Sequence, residues 1–167
     1  MSNPEDLKVG PGAQLSGACF THGDETLIGA NLVGASLSGA RMEFANLTGA
    51  NLEGADLRGA DMRSANLEDA KLCGADLRGA YMHRVNLKGV AMHGADVRAV
   101  FLRDADMTGV DLSNADCRAA FFRNANLTGA DLRGADLRLA NLQGVKLEGT
   151  KLEGAKLEGA KFSKEDV

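Results

Sequence analysis

Apolar residues along this chain recur every five positions, alternately three and two apart. From Glu25 to Lys164 the order Ala, Asn or Asp, Leu, any residue, Gly repeats without a slip. With Leu as the centre of each unit, the centres run from Leu27, Leu32, Leu37 and Met42 to Phe162, giving 28 units. Nineteen centres are Leu and five are Met; the others are Val97, Cys117, Phe122 and Phe162. Two residues before the centre stands Ala in 21 units and Val in five, and two residues after it stands Gly in 17. A helix buries residues at a period of about 3.6 and a strand at about 2, so neither element accounts for this spacing. Each Gly would also cost a helix interior about 1 kcal/mol relative to Ala. A fixed short period held this long signals a solenoid, whose units bury their apolar faces only by stacking on neighbours. Five residues supply one short extended segment and a turn. Four such sides close a square coil of twenty residues, with the centre and the Ala pointing inward.

Units such as Ala55-Asp56-Leu57-Arg58-Gly59, Ala75-Asp76-Leu77-Arg78-Gly79 and Ala130-Asp131-Leu132-Arg133-Gly134 resemble the pentapeptide-repeat family, and the resemblance covers more than four-fifths of the chain. It implies an all-β fold, a right-handed quadrilateral β-helix. Here that becomes about seven and a half square coils with a short N-terminal cap: residues 1–12 as the cap segment, 13–164 as the β-helix and 165–167 as a tail. Some members of the family resemble DNA in shape and charge, inhibit DNA gyrase and confer quinolone resistance.

Both prolines, Pro4 and Pro11, precede the repeat, and Ser2-Asn3-Pro4-Glu5 reads as a helix start that covers the first coil. Two units centred on Leu15 and Phe20 follow, and the step of seven to Leu27 implies two extra residues near Gly23-Asp24. Inside the rod there is no Pro, as expected where backbone N–H groups donate between coils. Stacked at about 4.8 Å per coil, the rod spans roughly 35–40 Å. Gly after the centre permits positive φ at each corner. Arg84, Ala99, Asp104, Asn114, Ala119 and Asn124 replace it in the middle, where a different turn is expected. Val97 and Cys117 are the smallest centres and Phe122 is among the largest, which reads as volume compensation at constant packing density.

The net charge of −4 is too small to mark a nucleic-acid binder or a dense acidic mimic. The first residues carry neither a basic segment nor an apolar core, and no apolar run is long enough to span a membrane. Three cysteines without paired spacing fit a reduced, cytoplasmic protein, with Cys19 and Cys73 pointing out and Cys117 in.

Residues twenty apart stack, so each face reads as a set of columns. The first carries Asn46, Asn66, Asn86 and Asn126 with Asp106 between, a candidate amide ladder. The second carries Lys71, Cys73, His93, Asp111 and Asp131 without a pattern. The third sets Asp56, Asp76, Asp96, Asp116 and Asp136 beside Arg58, Arg78, Arg98, Arg118 and Arg138, a structural charge ladder in which each Asp is shared by neighbouring Arg side chains. The fourth face places Tyr81, Phe101 and Phe121 where the repeat prefers Asp or Asn, among Arg63, Arg84, Arg103, Arg123 and His83. Ala99, Ala119 and Leu139 extend its apolar strip, and from Arg41 to Lys164 the face has seven positive and three negative charges.

Two readings of the strip follow: an aromatic ladder that stabilises its own sheet, or an interaction surface. Catalysis is not expected, because a uniform solvated carboxylate column does not separate an acid from a base. No cofactor is expected, and His22, His83 and His93 lack metal-ligand spacing. The sequence therefore reads as a non-enzymatic solenoid whose flat faces bind a protein partner. One alternative is a DNA-mimic modulator of gyrase, which the neutralised Asp column argues against; the other is a purely structural or regulatory rod. Ring spacing of about 4.8 Å is too tight for bases to enter, which argues against direct nucleic-acid binding. In isolation the strip is expected to support a weak, salt-dependent homodimer.

Overall fold

The computed structural model describes residues 9–20 and 27–163. Each pentapeptide forms one side of a coil. The residue just before the centre makes a parallel bridge to its counterpart twenty positions on: Asn31 to Asn51, Asp56 to Asp76, and onward to Asn141 with Lys161. Four units thus complete one turn of a β-helix.

The hydrogen bonds explain the composition of the repeat. The Leu32 N–H donates to the Asn51 carbonyl at 2.7 Å and the Gly34 N–H to Glu53 at 2.9 Å. Asn51 donates back to Ala30 at 2.9 Å, and Ala35 closes the corner onto Leu32 at 3.0 Å. Four of the five N–H groups in a unit are therefore committed, and Pro would orphan an acceptor at any of them. The fifth, on the residue after the centre, points outward. It is met by the Asn or Asp two residues earlier: Glu53 N–H to Asn51 Oδ1 at 3.1 Å, Arg58 N–H to Asp56 Oδ1 at 3.2 Å. This side-chain mimic of a turn is the reason for the repeat's preference for Asn and Asp. The amide ladder of the first face is present only in part. Asn86 donates to Asn66 Oδ1 at 2.9 Å, whereas Asn66 and Asn126 donate to the Thr48 and Thr108 hydroxyls.

Centres and alanines form one continuous core, with no buried polar or charged residue among those described. Val97, Cys117 and Phe122 are all fully buried. Cys117 lies under the third face and Phe122 under the fourth in the same coil, so a small centre and a large one share one cross-section. Leu147, Leu152, Leu157 and Phe162 are only partly buried, because no described coil stacks beyond them.

The corners correct one expectation. Every corner from Gly29 to Gly159 has positive φ at its third residue, and ten of these residues are not Gly. Ala99 sits at φ 54° and Ala119 at φ 57°, in the same turn as their glycine neighbours. Each corner combines a bond from the fourth residue's N–H to the first residue's carbonyl with positive φ at the third position, the mark of a type II rather than a type I turn. The coil-to-coil ladder holds that shape whatever the side chain, and non-Gly residues carry a strain of roughly 1–2 kcal/mol each.

At the N-terminus, Gln14 bridges Ser36 and Cys19 bridges Arg41, both 22 apart, which places the two extra residues between Phe20 and Leu27. The inserted stretch at Gly23-Asp24 lies outside the described residues, as do residues 1–8 of the cap segment and the tail. A corner of the common kind already stands at Gly10–Ala13, where Ala13 donates to Gly10 at 3.1 Å.

Candidate interaction face

The third face forms the expected charge ladder. Arg58 binds its own Asp56 through Nε at 2.8 Å and Nη2 at 2.7 Å, and Arg78, Arg98, Arg118 and Arg138 repeat this grip on Asp76, Asp96, Asp116 and Asp136. The first four also approach the Asp of the next coil: Arg58 to Asp76 at 3.8 Å, Arg78 to Asp96 at 3.6 Å, Arg98 to Asp116 at 3.5 Å and Arg118 to Asp136 at 3.9 Å. Hydrogen bonds from the Arg side chains hold the Asp56, Asp76 and Asp116 carboxyls below their ordinary range, and that of Asp136 down to about 2. Each Asp of the column meets its own Arg in the same geometry.

The fourth face departs from this at four columns. Tyr81, Phe101 and Phe121 stack with ring centroids 5.3 and 5.0 Å apart and planes within 4°. Tyr81 is 46% exposed, Phe121 41% and Leu139 67%. The His83 ring tilts against Phe101 at 5.8 Å. One bordering corner carries Ala99, Ala119 and Leu139. The other carries Phe44, Ser64, Arg84, Asp104 and Asn124, five successive coils without Gly. Eight of the ten non-Gly residues at positive φ therefore flank this one face.

Replacing Asp or Asn by an aromatic residue has a second effect. The outward N–H groups of His83, Arg103 and Arg123 lose the acceptor that Asx side chains supply elsewhere, and no described residue replaces it. The arginines are also unequally compensated. Arg63 binds Asp61 at 2.6 Å and Glu43 at 3.4 Å, and Arg103 lies 3.2 Å from Asp104. Arg84 and Arg123 have no ion-pair partner among the described residues. Arg84 and Arg103, with Glu43, Phe44, Ser64 and His83, line an open groove of about 410 Å³ that runs along the corner.

The structure thus brings together Tyr81, Phe101, Phe121, Arg63, Arg84, Arg103, Arg123 and Leu139, and adds Phe44 and Ser64. The signal for these two was in the sequence: read as a corner column, positions 44, 64, 84, 104 and 124 all lack Gly. On the second face the structure finds a local contact, with Cys73 Sγ 3.3 Å from His93 Nδ1 and Asp111 Oδ2 3.8 Å from the same nitrogen. Burial is the main cause that raises the Cys73 thiol, which opposes a nucleophilic role. No group of three or more His, Cys, Asp or Glu side chains among the described residues is arranged for a metal ion, and no described helix is long and apolar enough to cross a membrane.

Fold and surface together define a solenoid in which a uniform core carries faces of different chemistry. The chain belongs to the pentapeptide-repeat family: a family model of eight pentapeptide repeats matches residues 27–63, 65–104, 105–144 and 140–164. Similar solved structures include HetL of the cyanobacterium Nostoc sp. strain PCC 7120, a pentapeptide repeat protein involved in heterocyst differentiation regulation. It is 31% identical, with 90% of this chain and 83% of that chain covered and a TM-score of 0.35. The pentapeptide repeat protein alr5209 of Nostoc PCC 7120 is 36% identical over 64% of this chain and 71% of its own, with a TM-score of 0.31. The plasmid-mediated fluoroquinolone resistance protein QnrB1 is 16% identical over 78% of this chain and 83% of its own, with a TM-score of 0.28. No curated protein matches the chain.

Proposed function

We propose that this protein is a non-enzymatic, cytoplasmic solenoid that binds a protein partner through its fourth face. The scaffold is a rod of about seven and a half right-handed coils over 13–164, with 1–12 as its cap and 165–167 as its tail. The observation that carries the reading is coincidence on one face: three stacked outward aromatic residues, Tyr81 and Phe121 exposed and Phe101 half-buried between them, lie between two corners that hold eight of the ten strained non-Gly residues. Backbone strain persists where the surrounding structure over-determines it, and it clusters at functional surfaces. Aromatic anchors at the centre with arginines around them are the usual make-up of the energetic centre of an interface. A gyrase-directed mimic would need dense negative charge. Here the third face is internally neutralised and the fourth is positive, so a supercoiling assay is expected to show no inhibition at stoichiometric ratios.

Without its partner, the strip meets its own copy across a two-fold axis. Facing arginines repel unless they are offset against Asp61, Asp104 or Glu43, so this homodimer is weak and salt-dependent. The test is Phe101→Ser together with Phe121→Ser, followed by sedimentation and a pull-down from native lysate. Loss of partner and of self-association in a folded variant supports the reading. Unchanged mass and unchanged partners, with only lower stability, would reduce the strip to a stabilising ladder.

A further inference from the structure

The third and fourth faces use one position in opposite ways. On the third face, the residue after each centre is an Arg whose own N–H and guanidinium together hold a carboxylate: Arg98 binds Asp96 through its backbone N–H at 3.3 Å, Nε at 2.8 Å and Nη2 at 2.6 Å. On the fourth face, Arg103 and Arg123 occupy the same position in the repeat, but Phe101 and Phe121 stand where the Asp would be. Among the described residues their backbone N–H groups have no acceptor and Arg123 has no ion pair, and one coil earlier the His83 N–H and the Arg84 guanidinium likewise find no partner. The molecule therefore displays a carboxylate receptor filled on one side; on the next, among the described residues, its backbone N–H is open in three successive coils and its guanidinium lacks an ion pair at Arg84 and Arg123, while that of Arg103 is shared with Asp104.

The spacing selects what fills it. The rungs repeat at the ring steps of 5.3 and 5.0 Å. Side chains of a helix at i, i+3 or i+4 and i+7 follow one another at about 5–6 Å, and seven residues rise about 10.5 Å, which keeps pace with two rungs. An extended segment places same-side residues about 6.7 Å apart and falls out of step by the third. We infer that the partner presents an acidic amphipathic helix along the rod axis. Its apolar stripe lies on Tyr81, Phe101, Phe121 and the Ala99–Ala119–Leu139 corner, and carboxylates at i, i+4 and i+7 enter the receptors at His83–Arg84, Arg103 and Arg123. Laying an apolar helix stripe on a complementary surface is an established mode of peptide recognition, and charge-assisted bonds to paired donors give it direction. This inference rests on the fourth face being the interface, and adds the chemistry of what docks there.

The test uses the whole protein and a fluorescein-labelled helical peptide of about eighteen residues, with a Leu stripe beside Glu at i, i+4 and i+7. Controls are a scrambled isomer, a Glu→Gln version and single-stranded DNA of equal charge. Saturable binding is expected, weakened about tenfold or more by scrambling or by Glu→Gln. Phe121→Asp restores the repeat's own carboxylate, so it should fold at least as well as the parent while filling the Arg123 receptor from within, and binding should fall by a similar factor. Arg84→Gln with Arg123→Gln should do the same. The inference is overturned if no saturable binding occurs, if the scrambled peptide binds equally, if DNA binds more tightly, or if Phe121→Asp binds as the parent does. A lysate partner that requires Phe101 and Phe121 yet ignores Arg84→Gln with Arg123→Gln would sink this inference and leave the interface standing. A partner indifferent to both pairs would sink both.

Discussion

The third and fourth faces share one backbone, one coil rise and one core, yet they treat their outward groups differently. On the third, every Arg of the column grips its own Asp, and all but Arg138 lean toward the next. On the fourth, aromatic rings displace the acids, outward N–H groups stay open and corner residues sit in the left-handed region without glycine. The contrast teaches that the solenoid's stability comes from what it buries and ladders, which both faces have in full. The outer columns are therefore free to be self-satisfied or to be held ready for something else.

The largest test of this shared foundation is Phe122→Ala. The residue is fully buried under the fourth face, and its loss should cost about 3–5 kcal/mol in chemical unfolding. Both faces should melt together in that variant; separate transitions would show that the core does not couple them. A smaller effect of opposite sign is expected at the corners. Ala99→Gly and Ala119→Gly relieve positive φ and should each stabilise by about 1 kcal/mol. If the fourth face is strained for a purpose, these variants gain stability while partner capture stays equal or falls. Destabilisation would mean that the corner holds alanine without strain.

Much of this was legible in advance. The period of five dictated the square coil, and the aromatic break in the outward column singled out the fourth face. Two things were not legible, for a physical reason. The repeat's Gly preference suggested that non-Gly corners must turn differently. In fact the ladder fixes the corner, and residues such as Arg84 and Leu139 conform to it. The service done by Asp and Asn side chains for the outward N–H depends on knowing which of five donors the ladder leaves over. That is a fact of hydrogen-bond geometry, which composition does not reveal. Phe44 and Ser64 were missed because each looks like an isolated exception until the corner is read as a column.

The ladder itself should yield a smaller, sharper measurement. Asp96→Asn and Arg98→Gln singly leave a charge without its counterpart, while the double variant removes both. The double should be less destabilised than the sum of the singles, by about 0.5 kcal/mol, as suits half-exposed pairs. Strict additivity would mean that the columns are decorative.

The smallest effect is that of acid. Arg side chains hold Asp131 and Asp136 at about 2, below the ordinary carboxylate value, and lower Asp56, Asp76 and Asp116 as well. A folded value below the unfolded one stabilises above about pH 4, and the contribution fades as pH falls from about 4 toward 2. Thermal midpoints should therefore be flat from neutrality to about pH 4.5 and decline below it, and Arg138→Gln should shrink the decline. On the fourth face Arg63 lowers Asp61 in the same way, and partner binding should also fall over that window as the partner's own carboxylates take up protons.

The twenty-residue coil has a consequence for how such a chain can change its length. An insertion of five residues would keep every Leu in the core, yet rotate all later units by a quarter-turn. The Asp–Arg column would then continue onto the aromatic face, and every face would become a patchwork. An insertion of twenty adds a storey and leaves all four faces in line. The columns from Asp56 to Asp136 and from Tyr81 to Phe121 run unbroken, so across that span any duplication compatible with them came in whole coils. The same arithmetic offers a designer a dial: five residues to turn a face, twenty to lengthen it.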